Sequence, residues 1–254
     1  VHIPSFTAIA LPNIPLVQPN DDLVGLILAS LQGANMALQA GDVLVVSSKI
    51  VSKSEGRIIN LEDVTPSERA YELAQVTGKD PRVVELVLSE SVLVSRVAKQ
   101  VLVVQHRLGF VSANAGIDQS NLENSQDRVL LLPENPDASA QTMRDALHAQ
   151  TGQDVAIVIS DTHGRPFRFG NVGVAIGVAG MVALTDLRGR SDLYGRALQI
   201  TQQGYADLVA SAAHLLCGEA DEGQPVIMVR GLEYPHGEGK ASDLNRPSQQ
   251  DLYR

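Results

Sequence analysis

The chain is poor in the residues that would place it in several large functional classes. It has one cysteine, Cys217, in 254 residues. That excludes an internal disulfide framework and a cysteine-cluster metal site, and is compatible with a reducing cytoplasm. Positive charge is not in excess: the net charge is −9, with acids and bases mixed throughout. No electrostatic footprint for wrapping nucleic acid or an anionic membrane is present, although arginines around a small anion need only be local. Long apolar runs are missing too. The longest nearly uncharged one, from Val172 to Leu184, is thirteen residues, is punctuated by glycines, and reads as a buried core segment rather than a membrane span. The opening VHIPSFTAIALPNIP lacks the basic region and long apolar core of a secretory signal, so the cytoplasm is the expected location. No GxxxxGK[ST] loop, NKxD-type guanine reader, GxGxxG fingerprint or serine nucleophile elbow occurs, which disfavours a P-loop GTPase and a Rossmann dehydrogenase. No histidine pair has zinc spacing, and His163 is the histidine to check.

What is present is an ordinary globular composition, 44% hydrophobic, with strand, helix and strand alternating often enough to argue for an α/β protein with a mixed sheet. The chain is organised around Asp154 to Gly170, DVAIVISDTHGRPFRFG. Val155 to Ile159 is short and β-branched and predicts a central strand, with Asp161 and Thr162 at its carboxyl end, where open α/β sheets bind ligands. Arg165 and Arg168 offer planar forks for phosphate, and Gly164 and Gly170 predict a tight loop between them. An acid for a metal beside cations for phosphate is one reading; an N-capping Asp and a basic surface loop is the other.

Phe6 to Ala10 predicts a first strand, ended by the prolines of LPNIP, and Asn20 predicts a helix cap before Leu23, Leu26, Ile27 and Leu31. Asp42 to Ser47 predicts another strand. Ser48, Lys49 and Lys53 follow it at a rim where lysines either hold phosphate or are merely solvated. Thr65-Pro66-Ser67-Glu68 reads as a capping box, and Asp80-Pro81 opens a second helix, in a region around 60–100 expected to be a helical lobe. Val101 to Val104 and Leu108 to Ser112 predict strands leading into NAGIDQSN, where Asp118 is either a second metal acid or part of an Asx-type turn. Val129 to Leu132 predicts a strand, and Ser139 to about His148 a helix. In TDLRGRSDLYGR, Arg188, Arg190 and Arg196 form an anion-facing loop or a solvated turn. Gln199 to Cys217 predicts a helix burying Leu208, Val209, Ala212, Leu215 and Leu216, followed by an acidic, glycine-bounded loop with Glu219. A last strand spans Pro225 to Gly231, and a polar tail carries a closing helix near Gln249. Asp118, Asp161 and Glu219, with Thr162 as a neutral oxygen, match the oxygen preference of Mg²⁺ or Mn²⁺.

LPNIPLVQPNDDL, GDVLVVSSKIVSKSEGR, TPSERA, NAGIDQSN, ISDTHGRPFR, GVAIGVAG, DLRGRSDLYGR and GEADEGQP occur in this order, and their combination resembles the coenzyme F420-0:γ-glutamyl ligase family over nearly the whole chain. The resemblance implies an unusual α/β fold, neither Rossmann nor P-loop, in an intertwined homodimer. It implies GTP and two divalent cations in attaching L-glutamate to coenzyme F420-0 and then adding further γ-linked glutamates. Potassium is associated with the family, with no residues assigned to it. GTP contacts are implied for Leu11, Pro12, Asn13 and Ile14, for Ser48, Lys49, Lys53 and Asn121, and for Cys217, Gly218, Glu219, Ala220, Asp221, Glu222, Gly223 and Gln224. Asp118 and Asp161 would ligate one metal, Thr162 and Glu219 the other. Arg165 and Arg168, with Arg188, Arg190 and Arg196, are candidates for the anionic substrates, and Asp161, Arg165 and Arg168 for catalysis. Two departures stand out: His163 where a plain Asn often occurs, and Ser47-Ser48-Lys49 in place of a Ser/Thr-type segment. Many bacterial relatives carry a fused nitroreductase-like domain; this chain is expected to be a single ligase domain over 1–254. The alternatives are a metal-dependent phosphohydrolase using the same acids on water, and a nucleotide-binding module without turnover.

Overall fold

The computed structural model describes residues 3–122 and 126–251. In chain order the elements begin with β1 (Thr7–Ala10), α1 (Leu23–Gly33), β2 (Val43–Ser47), α2 (Ser48–Ser54) and β3 (Ile58–Asn60). Then come α3 (Glu68–Thr77), α4 (Pro81–Ser89), β4 (Ser91–Ala98), β5 (Val101–His106), β6 (Val111–Ala113) and β7 (Arg128–Leu130). The rest are α5 (Pro136–Thr151), β8 (Ala156–Arg165), β9 (Arg168–Ala179), β10 (Leu184–Asp186), β11 (Gln202–Gly204), α6 (Tyr205–Cys217) and β12 (Val226–Arg230).

The main sheet is mixed, in the order β1-β12-β2-β8-β9, and only β2 and β8 run parallel. Its central strands are apolar on both sides because both faces are covered. On one face Leu44, Val46, Ile157 and Ile159 meet α1, α2 and α5 through Ile27, Leu31, Val51, Met143 and Leu147. On the other, Val43, Val45, Ala156, Val158, Ile227 and Val229 meet the alanines of α6. The period of two along each strand divides these residues between two cores. Strand β9 is an edge, and two carboxylates take amide groups it would otherwise present to another sheet. Asp207 accepts from Ala175 N at 2.9 Å, and Asp137 from Val178 N at 2.8 Å.

Residues 61–117 carry a second, smaller core. Ala70, Leu73, Val84 and Val87 of α3 and α4 pack on Leu102 and Val104 of the sheet β4-β5-β6. Beyond the predicted helices and strands, β4 is new. The lobe is joined to the main body by Glu90, just beyond α4, which pairs with Arg57 and Arg107, both at 2.9 Å.

Several local expectations change. Helix α1 is capped by Asp22, whose carboxylate accepts from Gly25 N, whereas Asn20 sits in a left-handed turn at φ 68°. In TPSE the cap is Ser67, not Thr65, because Pro66 keeps the preceding residue extended. Ser48 to Ser54, the rim segment after β2, forms a helix. Strand β8 does not stop at Asp161: it continues through Arg165, and Arg165, Arg168, Gly164 and Gly170 belong to a long β8–β9 hairpin. Only the parallel pairing ends there, with Ser47 opposite Ser160. The helix predicted from Gln199 begins at Tyr205, because residues 187–201 fold as turns. Its buried face is Ala206, Val209, Ala210 and Ala213, while Leu208 and Leu215 are exposed. The helix lies so close to β9 that a Cβ on Gly173 would meet the Ala210 carbonyl oxygen at 2.7 Å. Small side chains therefore set that face, not large ones. Near Gln249 the tail forms only a 3₁₀ turn over Ser248–Gln250, and 252–254 lie outside the described residues. No helix among the described residues is long and apolar enough to cross a membrane.

Candidate active site

The ends of four strands of the main sheet gather at one rim. Leu11, just past β1, donates its N–H to Val226 O at 2.9 Å, and Ser47 N donates to Pro225 O at 2.8 Å. These two bonds tie the ends of β1 and β2 to the start of β12. Strand β8 passes beside them, and the next residue after its last β2 partner is Asp161.

The first turn of α2 connects two of the singled-out acids. Ser48, buried, donates from Oγ to Asp161 Oδ1 at 3.1 Å. The next residue, Lys49, places Nζ 2.7 Å from Asp118 Oδ2 and donates to Ser120 Oγ at 2.9 Å. Burial works against ionisation of Asp118. The Lys49 ammonium together with the Ser120 N–H and hydroxyl outweigh it, and the carboxyl is held below its ordinary value. The Asx-turn reading of NAGIDQSN is met, Ser120 N donating to Asp118 Oδ1 at 2.7 Å, and the other carboxylate oxygen faces the Lys49 ammonium. A run of left-handed residues, Asn114 at φ 52°, Ala115 at 54° and Gly116 at 65°, precedes it. Ala115 pays for that backbone by being fully buried.

One helical turn later Lys53 Nζ donates to Asn121 O at 2.8 Å, and Asn121 Nδ2 reaches Ala220 O at 3.4 Å. The segments holding Ser48, Lys49 and Lys53, Asp118 to Asn121, Asp161, and the loop Cys217 to Gln224 therefore converge. In that loop Gly218 has φ 73°, and a Cβ there would run into the Glu222 carboxylate. Glu222 folds back to accept from Ala220 N at 2.8 Å, and that backbone bonding holds its carboxyl low. Burial, with Glu219 and Glu222 nearby, pushes the Cys217 thiol up, so it is a poor nucleophile.

Other residues are placed differently. Leu11 is buried in the core, leaving its backbone to face the rim, while Pro12 and Asn13 are exposed and Ile14 packs on the core. Asp221 and Gly223 are exposed and Gln224 half-buried. Glu219 does not join Asp118 and Asp161. Its carboxylate lies 2.7 Å from His214 Nε2, a partner not anticipated, although a histidine in the last turn of a helix before a glycine was a readable signal. Thr162 faces the same side as that pair: its register partner is Gly173, whose Cβ would meet His214 Cβ at 3.0 Å. Arg165 bends back to Phe169 O at 3.0 Å with its Nε buried and unbonded. Arg168 is exposed, as are Arg190 and Arg196. Arg188 is paired with Asp186, whose carboxyl it draws down to about 2.

The donor set at this rim is carboxylate and hydroxyl oxygen with lysine amines beside it. Among the described residues no group of three His, Cys, Asp or Glu side chains could hold a metal by itself. Two carboxylates and neutral oxygens beside lysines suit instead a hard cation that shares its shell with water and phosphate, as Mg²⁺ does. In that sense the residues fit. A cavity of about 240 Å³, lined by Phe110, His163, Asp137 and Asp207 among others, has neither Asp118 nor Asp161 in its wall.

Fold and rim together define a mixed-sheet α/β protein whose strand ends bring oxygen ligands and amines to one place. The chain belongs to the F420-0:γ-glutamyl ligase family, a family of amide-bond-forming ligases, and the family model matches residues 12–231. It is 44% identical to the coenzyme F420:L-glutamate ligase of Methanothermobacter thermautotrophicus over 97% of this chain and 98% of that protein. The protein of that name in Methanopyrus kandleri is 46% identical, over 94% and 93%, and that in Methanocaldococcus jannaschii 44%, over 87% and 88%.

Proposed function

We propose that the protein attaches L-glutamate to coenzyme F420-0, then extends it with γ-linked glutamates, using GTP and a divalent metal and releasing GDP and phosphate. The observation that carries this reading is the Ser48-Lys49 step, where adjacent residues hold Asp161 and Asp118 beside a second lysine. Such a cluster suits a triphosphate with its cation and has no evident use in a purely structural strand end.

In this reading Asp118 and Asp161 hold one Mg²⁺ or Mn²⁺, and Thr162 and Glu219 a second. When bound, the ions offset negative charge on the phosphate oxygens. Lys49 and Lys53 supply fixed positive charge for the β- and γ-phosphates, with backbone from Leu11 to Ile14 and the 217–224 loop enclosing the nucleotide. The acceptor carboxylate attacks the γ-phosphorus, the bond to GDP breaks, and an acyl phosphate forms. The glutamate amine then attacks the acyl carbon, phosphate departs, and the amine loses a proton. The chain's task is orientation and charge, not covalent participation. Arg165 and Arg168 are assigned to anionic substrate groups.

The same reading includes a homodimer. The chain exposes 14161 Å², whereas a compact monomer of 27.1 kDa exposes roughly 11,000 Å². Phe169, Leu193, Tyr194 and Ile200 are each at least 87% exposed on the β8–β9 hairpin and the 187–201 excursion. Apolar residues on projecting arms favour burial by a second copy.

Incubation with GTP, Mn²⁺, L-glutamate and coenzyme F420-0, followed by mass measurement of the acceptor, tests the reading. Successive glutamyl additions with matching GDP are expected. Phosphate release that ignores acceptor and glutamate would instead identify a hydrolase, and GTP binding without turnover a binding module.

A further inference from the structure

Both oxygens of the Asp161 carboxylate are engaged. Oδ1 accepts from Ser48 Oγ at 3.1 Å, and Oδ2 lies 3.2 Å from His163 Nε2. Nε2 donates to this oxygen in the tautomer that carries its hydrogen there. His163 is two residues further along β8 and therefore on the same face of the strand, its side chain 11% exposed.

The ring is gripped from the lobe. Phe110 lies 4.9 Å from it at a 55° tilt, and Phe110 is stacked on His106 at 5.0 Å and 9°. His106 is wholly buried. Its Nδ1 accepts from Leu108 N at 3.0 Å, and its Nε2 stands 3.5 Å from Glu90, within ion-pair reach but too long for a good hydrogen bond. Glu90 is the acid that Arg57 and Arg107 hold at the junction of lobe and main body. A continuous packed path thus runs from a buried ionic cluster through two rings to His163. The 240 Å³ cavity borders both Phe110 and His163, so the imidazole has open space beside it and the Phe110 ring against it.

We propose that His163 is a positioning residue: its Nε2–H fixes the orientation of the Asp161 carboxylate, and the Phe110–His106 stack fixes His163. Partners of this kind set a ligand's angle and basicity, and their loss costs roughly tenfold to a hundredfold in metal affinity. The inference rests on the reading above in which Asp161 binds the cation.

The test compares His163→Leu, which removes the donor, with His163→Gln, whose amide nitrogen reaches the place of Nε2. Mn²⁺ binding is followed by loss of the free-ion EPR signal, alongside kcat, KM for GTP, and thermal melting. His163→Leu should bind Mn²⁺ about tenfold more weakly or worse, with kcat falling and melting unchanged. His163→Gln should recover most of both, and Phe110→Leu should fall between. Wild-type Mn²⁺ affinity and kcat in His163→Leu would overturn the proposal, as would a glutamine variant no better than the leucine one. Should His163→Leu fail to fold, His163→Asn replaces it, since its amide is too short to reach Oδ2. A wild-type enzyme that glutamylates without binding Mn²⁺ would instead overturn the metal reading, before any variant is compared.

Discussion

Asp161 concentrates the residue-scale argument. It carries a hydrogen bond from a helix, another from its own strand, and a place at the end of the only parallel pairing in the main sheet. Replacing it with Asn keeps the shape and removes the charge. GDP release and glutamylation should fall together, by roughly a hundredfold or more, with melting close to that of the parent. Retained turnover would sink the assignment of this acid. The residue types were legible in the sequence, since Asp161, Asp118, Ser48 and Lys49 all stand out beside apolar strands. Their mutual contacts were not: the Ser48–Asp161 bond spans 113 positions, and no local rule joins them. His214 and Phe110 escaped for the same reason, each taking its meaning from a partner supplied by another element.

Among elements, α6 shows why pattern alone misleads. Counting large apolar residues selects Leu208, Leu215 and Leu216, yet the sheet side is lined by alanine because Gly173 admits the helix backbone to close range. Helix existence was readable from composition, but orientation depended on the glycines of a different strand. The β8–β9 hairpin misleads oppositely: its glycines and arginines read as a loop, while cross-strand pairing from Ile157 to Arg165 keeps it extended. The lobe's junction yields a prediction at this scale. Burial resists ionisation of Glu90, but His106, Arg107 and Arg57 outweigh it and hold the carboxyl at about 2, against an ordinary 4.5. With the folded value below the unfolded one, the stabilisation is complete above about 4.5 and is lost as pH falls through about 2. The protection of amides in 61–117 against hydrogen exchange, relative to the unfolded chain at the same pH, should therefore fall over that interval. Glu90→Gln should cost about 3 kcal/mol at neutral pH and flatten the acid dependence; an unchanged profile would show that the junction does not depend on this charge.

At the scale of the whole molecule, the homodimer proposed above has a direct test. Sedimentation should give twice the chain mass, and joint replacement of Phe169 and Tyr194 by Glu should return single chains whose main core still melts cooperatively. A wild-type protein that sediments as one chain would remove the arms' proposed role. The mixed sheet was readable from the alternation of strands and helices, but the strand order was not. β12 enters between β1 and β2, a pairing of distant segments that no periodicity encodes.

One strand, β8, is rooted in the core at one end and projects with its hairpin at the other, with Asp161 partway along. If a second copy grips the projecting end, subunit association and alignment of the reacting groups become a single equilibrium. Specific activity would then decline on dilution while circular dichroism stayed constant, and the enzyme would sense its own abundance.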